Sequence, residues 1–317
     1  MDEKGRLNSY TSIRNYIECL AGFFASEYRD TEAVLSEVAA GRSFRRIQAG
    51  KCTDVGEVAR LLRHSWLAEI QLAARRDEPT TFRYTDCWAP TYVYYAVCLS
   101  ARAMFGSRGF WLGEAHRPAL NALANDIKAR RDLFPQPFRT YCTWDKLTSA
   151  CITLHHPESC RIERINSLSN ASLDTFWSRF AMLLKTTHAE KLKRVEDEWK
   201  RRNGRQRMPN QQKAEVVKGV PPTTLFDFLY RLRIRANYQE VDSFLVAIRF
   251  RHTPSDFQKH LATICWHCLL VLEMLTVRQL GISKYNNILD GFVRYDVDGL
   301  ASKLAAARYS LISSVLK

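Results

Sequence analysis

Apolar residues recur at three- and four-residue spacing along most of the chain, and no run alternates apolar with polar positions. The pattern predicts an all-α fold without strands. A first helix is expected at about 9 to 28, with Ile13, Ile17, Leu20 and Phe24 inward, and a short second one at about 31 to 40 before Gly41. From 54 to 75, Val58, Leu61, Leu62, Trp66, Ile70 and Ala73 repeat behind Asp54, a suitable cap. Pro90 opens PTYVYYAVCLSARAMFG, apolar nearly all round until Arg102, which places it in the middle of a bundle. Another helix begins near Glu114. Pro135, Pro137, Pro157 and scattered Asn and Ser predict irregular structure between about 131 and 170.

A long helix from about 171 starts apolar (Leu173, Phe176, Phe180, Leu183, Leu184) and becomes strongly charged, so its second half is expected to project into solvent. Pro221 and Pro222 mark the return to the bundle. In the helix that follows, Leu225, Phe228, Leu229, Leu232 and Ala236 form the apolar face. Beside it RLRIRANYQEVD, residues 231 to 242, sets Arg231, Arg235, Tyr238 and Asp242 at i, i+4, i+7 and i+11, a single stripe on one continuous helix. Such a row of guanidinium groups can hold phosphate; the alternative is that these arginines pair with Asp227, Glu240 and Asp242. Thr253 and Pro254 start a long apolar helix that Gly281 ends, and a last one covers about 296 to 316. The chain divides into an N-terminal helical extension (1–50), a first half-bundle (51–130), an insertion with a basic arm (131–220), and a second half-bundle with a final helix (221–317).

Composition adds a direction. Hydrophobic residues at 46% and charged residues at 25% describe an ordinary globular chain, and 47 Lys+Arg against 33 Asp+Glu give a formal charge of +14, which favours nucleic acid as partner. The first residues are acidic and polar, with no apolar signal region. CWAPTYVYYAVCLSA, taken as the longest weakly charged run, is shorter than a membrane span. The expectation is a cytoplasmic protein with no membrane partner. Nine cysteines without short regular spacing fit reduced thiols. Cys142, Cys151, His155, His156 and Cys160 could supply a zinc site but lack a Cys-x-x-Cys knuckle, and Cys265 and Cys268 of CWHC read as core thiols. No metal or cofactor is assigned. No glycine-rich phosphate loop, Gly-x-Ser-x-Gly or His-Glu-x-x-His sequence occurs, which disfavours P-loop hydrolysis, esterase and metalloprotease chemistry.

Two stretches carry a family resemblance. TYVYYAVCLSARAMFGSRGFWLGEAH (91–116) resembles the Tyr-Tyr-Ala helix of the HEPN superfamily with its following small-residue run, Gly and His, and LYRLRIRANYQEVDSFL (229–245) is similar to that superfamily's Arg-x-x-Ala-Asp/Asn-Tyr helix. The resemblance implies a four-helix bundle core, a homodimer with a shared site, and a place in prokaryotic toxin–antitoxin or antiviral defence systems. Members that cut RNA use an Arg followed four to six residues later by His. Here no His stands at that distance after Arg231, Arg233 or Arg235, and Asn237 and Tyr238 occupy the relevant turn. Tyrosine, with an ordinary pKa of about 10, is a poor base at neutral pH.

The candidate catalytic set is therefore Arg231, Arg235, Asn237 and Tyr238, with His116 as a base from another helix. Arg102, inside the most apolar helix, either pairs with Glu273 of LLVLEML or faces a ligand anion. The function expected is an HEPN-like RNA-binding protein, with metal-independent ribonuclease activity as its possible chemistry. The alternative is a noncatalytic helical subunit that binds a protein encoded beside it. The arm adds Lys193, Arg194, Lys200, Arg201, Arg202, Arg205 and Arg207 as phosphate contacts. Replacing those seven residues with Gln is predicted to weaken RNA binding and flatten its dependence on salt in titrations at several ionic strengths; an unchanged slope would remove the arm from the interface.

Overall fold

The computed structural model describes residues 2–28, 30–73, 87–144, 152–155, 173–249, 254–296 and 299–316. Among them are thirteen α-helices: α1 Glu3–Glu27, α2 Thr31–Ala40, α3 Arg42–Arg45, α4 Val55–Ala73, α5 Ala89–Ser107, α6 His116–Ala129, α7 Leu173–Asn203, α8 Asn210–Lys218, α9 Leu225–Ile234, α10 Val241–Arg249, α11 Pro254–Leu280, α12 Ile282–Val293 and α13 Leu300–Leu316. The all-α expectation holds, with one correction. Tyr141–Trp144 (β1) and Ile152–His155 (β2) pair antiparallel, and Cys142 exchanges backbone hydrogen bonds of 2.9 Å with Thr223. Four-residue strands are too short for alternation to register against their Pro- and Ser-rich surroundings.

The helices form where periodicity places them, and local chemistry sets their ends. Asp2 accepts a hydrogen bond from the Gly5 amide at the start of α1, and Thr224 and Asp227 form a reciprocal capping box on α9. Gly204, at φ +63°, closes α7, and the Arg205 amide reaches back to the Lys200 carbonyl at 3.2 Å. This left-handed turn sends the chain back along α7 as α8. The arm is thus a helical hairpin with Met208 buried at its turn, where a lone projecting helix was expected. Gly281, at φ +87°, separates α11 from α12, a helix that the periodicity reading did not resolve.

Helices α4, α5 and α11 pack together as the centre, with α1 along α11, α9 against α5, and α13 across α2 and α4. α11 contributes Leu261, Ile264, Cys268, Leu272 and Leu275 to the interior, all at 0% exposure. Among the described residues it is the helix long and apolar enough to cross a membrane, which replaces 87–101 as the longest such run, and most of it is buried within the bundle.

One polar network is sealed in this core. Arg308 of α13 donates to both carboxylate oxygens of Glu69 on α4 (2.7 and 2.8 Å) and to both of Glu273 on α11 (2.9 and 3.1 Å). Trp66 Nε1 and the Tyr285 hydroxyl, at 2.9 and 2.8 Å, complete the Glu273 shell, and the guanidinium lies over the Trp266 ring. Glu273 therefore does not pair with Arg102, as one reading of the sequence allowed. Desolvation raises the Glu69 pKa, Arg308 opposes that shift, and neighbouring Glu273 adds to it. Arg308→Ala is predicted to lower the unfolding free energy by roughly 3–5 kcal/mol in urea denaturation, because two buried carboxylates lose their shared cation.

A second buried group makes the fold acid-sensitive. His188 of α7 is buried with Nδ1 2.8 Å from the Thr223 hydroxyl, and burial, reinforced by Lys191, holds its pKa down at about 4. The unfolded ring ionises near about 6.5, so as pH falls the unfolded state takes the proton first. Its stabilisation is complete above that value and is lost between about 6.5 and 4, by roughly 3 kcal/mol at most. His188→Gln is predicted to flatten the stability profile in this window, as read by denaturant midpoints at successive pH values.

Candidate functional site

The quoted stripe does not run on one helix. α9 ends at Ile234, and residues Arg235–Gln239 form a π turn in which the Glu240 amide reaches the Arg235 carbonyl, five residues back, at 2.7 Å. The inserted residue widens the turn and re-aims everything beyond it. Arg231 remains over α7, where it donates to Thr186 at 2.9 Å and Thr187 at 3.2 Å and pairs with Glu190 at 2.5 Å. Arg235 pairs with Glu240 and donates to Ser9 of α1 at 3.0 Å. Asp242 leaves the stripe for Arg6, at 2.9 Å. Pairing was the alternative weighed for these arginines, and Arg235–Glu240 is one of the pairs then named.

Between the two neutralised arginines stands Arg233, on the other face of α9. It is buried, its Nη2 donates to the Tyr95 hydroxyl at 3.1 Å, and no carboxylate lies within ion-pair distance among the described residues. Its guanidinium centre is 5.0 Å from the ring centroid of Tyr95, 5.4 Å from Tyr94 and 5.9 Å from Tyr238. Its Nε finds no partner. Contacts to aromatic faces offset part of the desolvation that a buried cation suffers. Arg233 is not among the candidate residues drawn from the sequence, although the Arg-x-x-Ala-Asn-Tyr spacing in 233–238 falls on Arg233, Ala236, Asn237 and Tyr238. The i, i+4 stripe drew attention to its neighbours instead.

The remaining side chains converge on Arg233. Asn237 hydrogen-bonds Thr91 of α5, which fixes the π turn against the Tyr-Tyr-Ala helix. Tyr238 is 69% exposed, with the Arg233 guanidinium over its ring. His116, the first residue of α6, packs 5.3 Å from the Tyr94 ring, 5.7 Å from Tyr95 and 6.0 Å from Tyr230. Burial lowers the His116 pKa, and Arg233 and Arg102 lower it further, so the ring is neutral at pH 7. Among the described residues Arg102 has no carboxylate within ion-pair distance, and its Nε is buried without a hydrogen bond. The site thus holds two guanidinium groups without carboxylate partners among the described residues, a neutral imidazole and a wall of tyrosines.

Of the arm residues, Arg194 pairs with Glu190 and lies 5.9 Å over Tyr230, and Lys200 pairs with Glu196 at 3.1 Å. Lys193, Arg201, Arg202, Arg205 and Arg207 are exposed. Among the described residues no group of three or more His, Cys, Asp or Glu is placed to hold a metal ion. Cys142 is buried with its thiol 3.5 Å from the Leu184 carbonyl, and the other zinc candidates, Cys151, His156, Cys160 and the side chain of His155, lie outside the described residues.

No family model, curated protein or solved structure matches the chain. Arg235→Ala removes the partner of Glu240 and Ser9, so it is predicted to reduce stability by about 1–3 kcal/mol in thermal or denaturant melts. Retention of full stability would return Arg235 to the list of ligand-facing groups.

Proposed function

We propose that this chain is an HEPN-like RNA-binding protein that cleaves RNA without a metal, using Arg233 and His116. The observation that carries the reading is a buried arginine with no carboxylate partner, stacked on tyrosines beside an imidazole held neutral. A structural arginine at such depth ordinarily meets an acid, as Arg308 does, whereas an unneutralised one is completed by an anion brought from outside. Guanidinium suits phosphate because it stays charged and donates parallel hydrogen bonds.

The chemistry follows from those groups. Neutral His116 takes the proton of the ribose 2′-hydroxyl, the 2′-oxygen attacks the adjacent phosphorus, and Arg233, with Arg102 nearby, stabilises the charge that develops on the phosphoryl oxygens. The bond to the 5′-oxygen breaks and that oxygen is protonated by water, which leaves a 2′,3′-cyclic phosphate and a 5′-hydroxyl. Tyr238 offers a face for the base at the cleaved position. A base of depressed pKa also extends the active range downward, because His116 stays deprotonated to lower pH than a free imidazole.

The competing reading is a noncatalytic subunit, favoured by exposed aromatic side chains at Trp88, Phe110 and Trp111, which could meet a protein partner. Two variants separate the readings. Arg233→Lys keeps the charge and loses the planar fork, so it is predicted to lower kcat/KM for RNA cleavage by about 100-fold or more with little change in melting temperature. His116→Ala is predicted to abolish cleavage while RNA binding persists, and the wild-type rate to fall toward acid with an inflection below about 6.5. Undiminished cleavage in both variants, or none by the wild type on any single-stranded RNA, would overturn the ribonuclease reading.

A further inference from the structure

A cleft of about 300 Å³ opens beside the site, between the α7–α8 hairpin and the bundle. Its walls are largely apolar, with Val195 on α7, Val216 on α8, Val220 and Pro221 in the connection to α9, and Leu120 on α6. The charges on its rim cancel one another. Glu190 is shared by Arg194 and Arg231, and Lys191 pairs with Asp227 at 3.0 Å while also donating to the Pro222 carbonyl. A phosphate gains little in such a place, because every cation near it already has an acid. A flat uncharged ring loses little by entering.

Two residues join this cleft to the candidate site. Tyr230 lines the cleft, packs against His116 and Tyr94 on the bundle side, and carries the Arg194 guanidinium. Arg117, next to His116 in sequence, lines the cleft and also a shallower depression with Glu198, Arg201 and Arg202 on the outer part of α7. Beyond that depression Arg205 and Arg207 stand exposed at the hairpin turn, with no ion pair among the described residues. From core to arm the surface therefore changes from unpaired arginine with tyrosines, through a neutralised apolar slot, to unpaired arginines.

We infer that the cleft seats one unstacked base of a single-stranded RNA, the nucleotide adjoining the one cleaved, and that Arg201, Arg202, Arg205 and Arg207 hold the phosphates beyond it. This rests on the RNA reading above and extends it to the path of the strand. A base in the slot lies against Tyr230, and aromatic stacking gains affinity for any base because each has a π face. The volume is at the lower end for small-ligand pockets and suits a base better than a whole nucleotide. The hairpin thus acts on substrate length and placement, while Arg233 and His116 act on bond cleavage.

The test uses fluorescein-labelled oligoadenylate and a series of the same oligonucleotide with one abasic ribose moved along it, titrated by anisotropy against the wild type and Val216→Trp, whose indole fills the slot. The wild type should lose roughly 10-fold in affinity when the abasic ribose falls at one position next to the cleavage site. Val216→Trp should show about that loss on the intact oligonucleotide and no further loss on the abasic one. If circular dichroism shows that Val216→Trp disturbs the hairpin, Val195→Phe fills the slot from the opposite wall and is subject to the same criteria. Equal affinity of the wild type for every abasic oligonucleotide, or unchanged affinity in the filled-slot variant, would overturn the inference. The two readings fail separately: loss of cleavage in Arg233→Lys with no effect of filling the slot removes only the base site, whereas a wild type that binds no oligonucleotide removes both.

Discussion

Arg308 lies at 0% exposure between Glu69 and Glu273, and the core around it depends on that ion triad. Its three members come from α13, α4 and α11, with Trp66 and Tyr285 of α12 supplying the last donors, so four helices must dock before any one charge is satisfied. A buried ion left without its partner costs several kcal/mol, which makes partial assembly unfavourable. Apolar packing alone tolerates a helix sliding by a turn. A guanidinium with four fixed acceptor contacts does not. Because α11 and α4 flank α5, the triad also fixes the Tyr-Tyr-Ala helix on which the candidate site is built.

The site is organised by the way acids are distributed among the arginines. Arg231 and Arg235 stand near Glu190 and Glu240 and are neutralised, so they hold α9 to α7 and α1. Arg233 points to α5, where the Tyr95 hydroxyl and the Tyr94 and Tyr95 rings meet it, and Arg102 forms no ion pair among the described residues. Burial depresses the His116 pKa, and these two cations depress it further. The cleft under the hairpin is lined by charges that cancel, whereas the hairpin's outer arginines have no ion pair among the described residues.

The π turn at Arg235–Gln239 links these two arrangements. An uninterrupted α-helix would carry Tyr238 and Asp242 along the Arg231 face. One extra residue in the turn turns Tyr238 toward Arg233 and frees Asp242 for Arg6, while Asn237 anchors the bend to Thr91. Such insertions weaken helical hydrogen bonding and are kept where they place a side chain, which here is the exposed phenol beside the buried guanidinium.

The helical class and most helix positions were legible in the sequence, because spacing at three and four residues reports one buried face and needs no knowledge of what covers it. Asp54 as a cap, Pro254 as a first-turn residue and Gly281 as a helix end were legible for the same local reason, while Thr253 lies outside the described residues. The position of His116 beside the tyrosines of α5, on a separate helix, and Arg235 with Glu240 as a pair were also within reach, since motif order and short separations carry them. What only the tertiary structure decided was which charge meets which. Glu273 could have met Arg102 or another cation, and it met Arg308, 35 residues away; Arg231 found Glu190 within the insertion. Arg233, on an unremarked face of α9, became the unpaired one because α5 offers it no acid. Periodicity records the direction a side chain leaves its own helix, but pairing depends on helices brought together across long loops, and that information is not local.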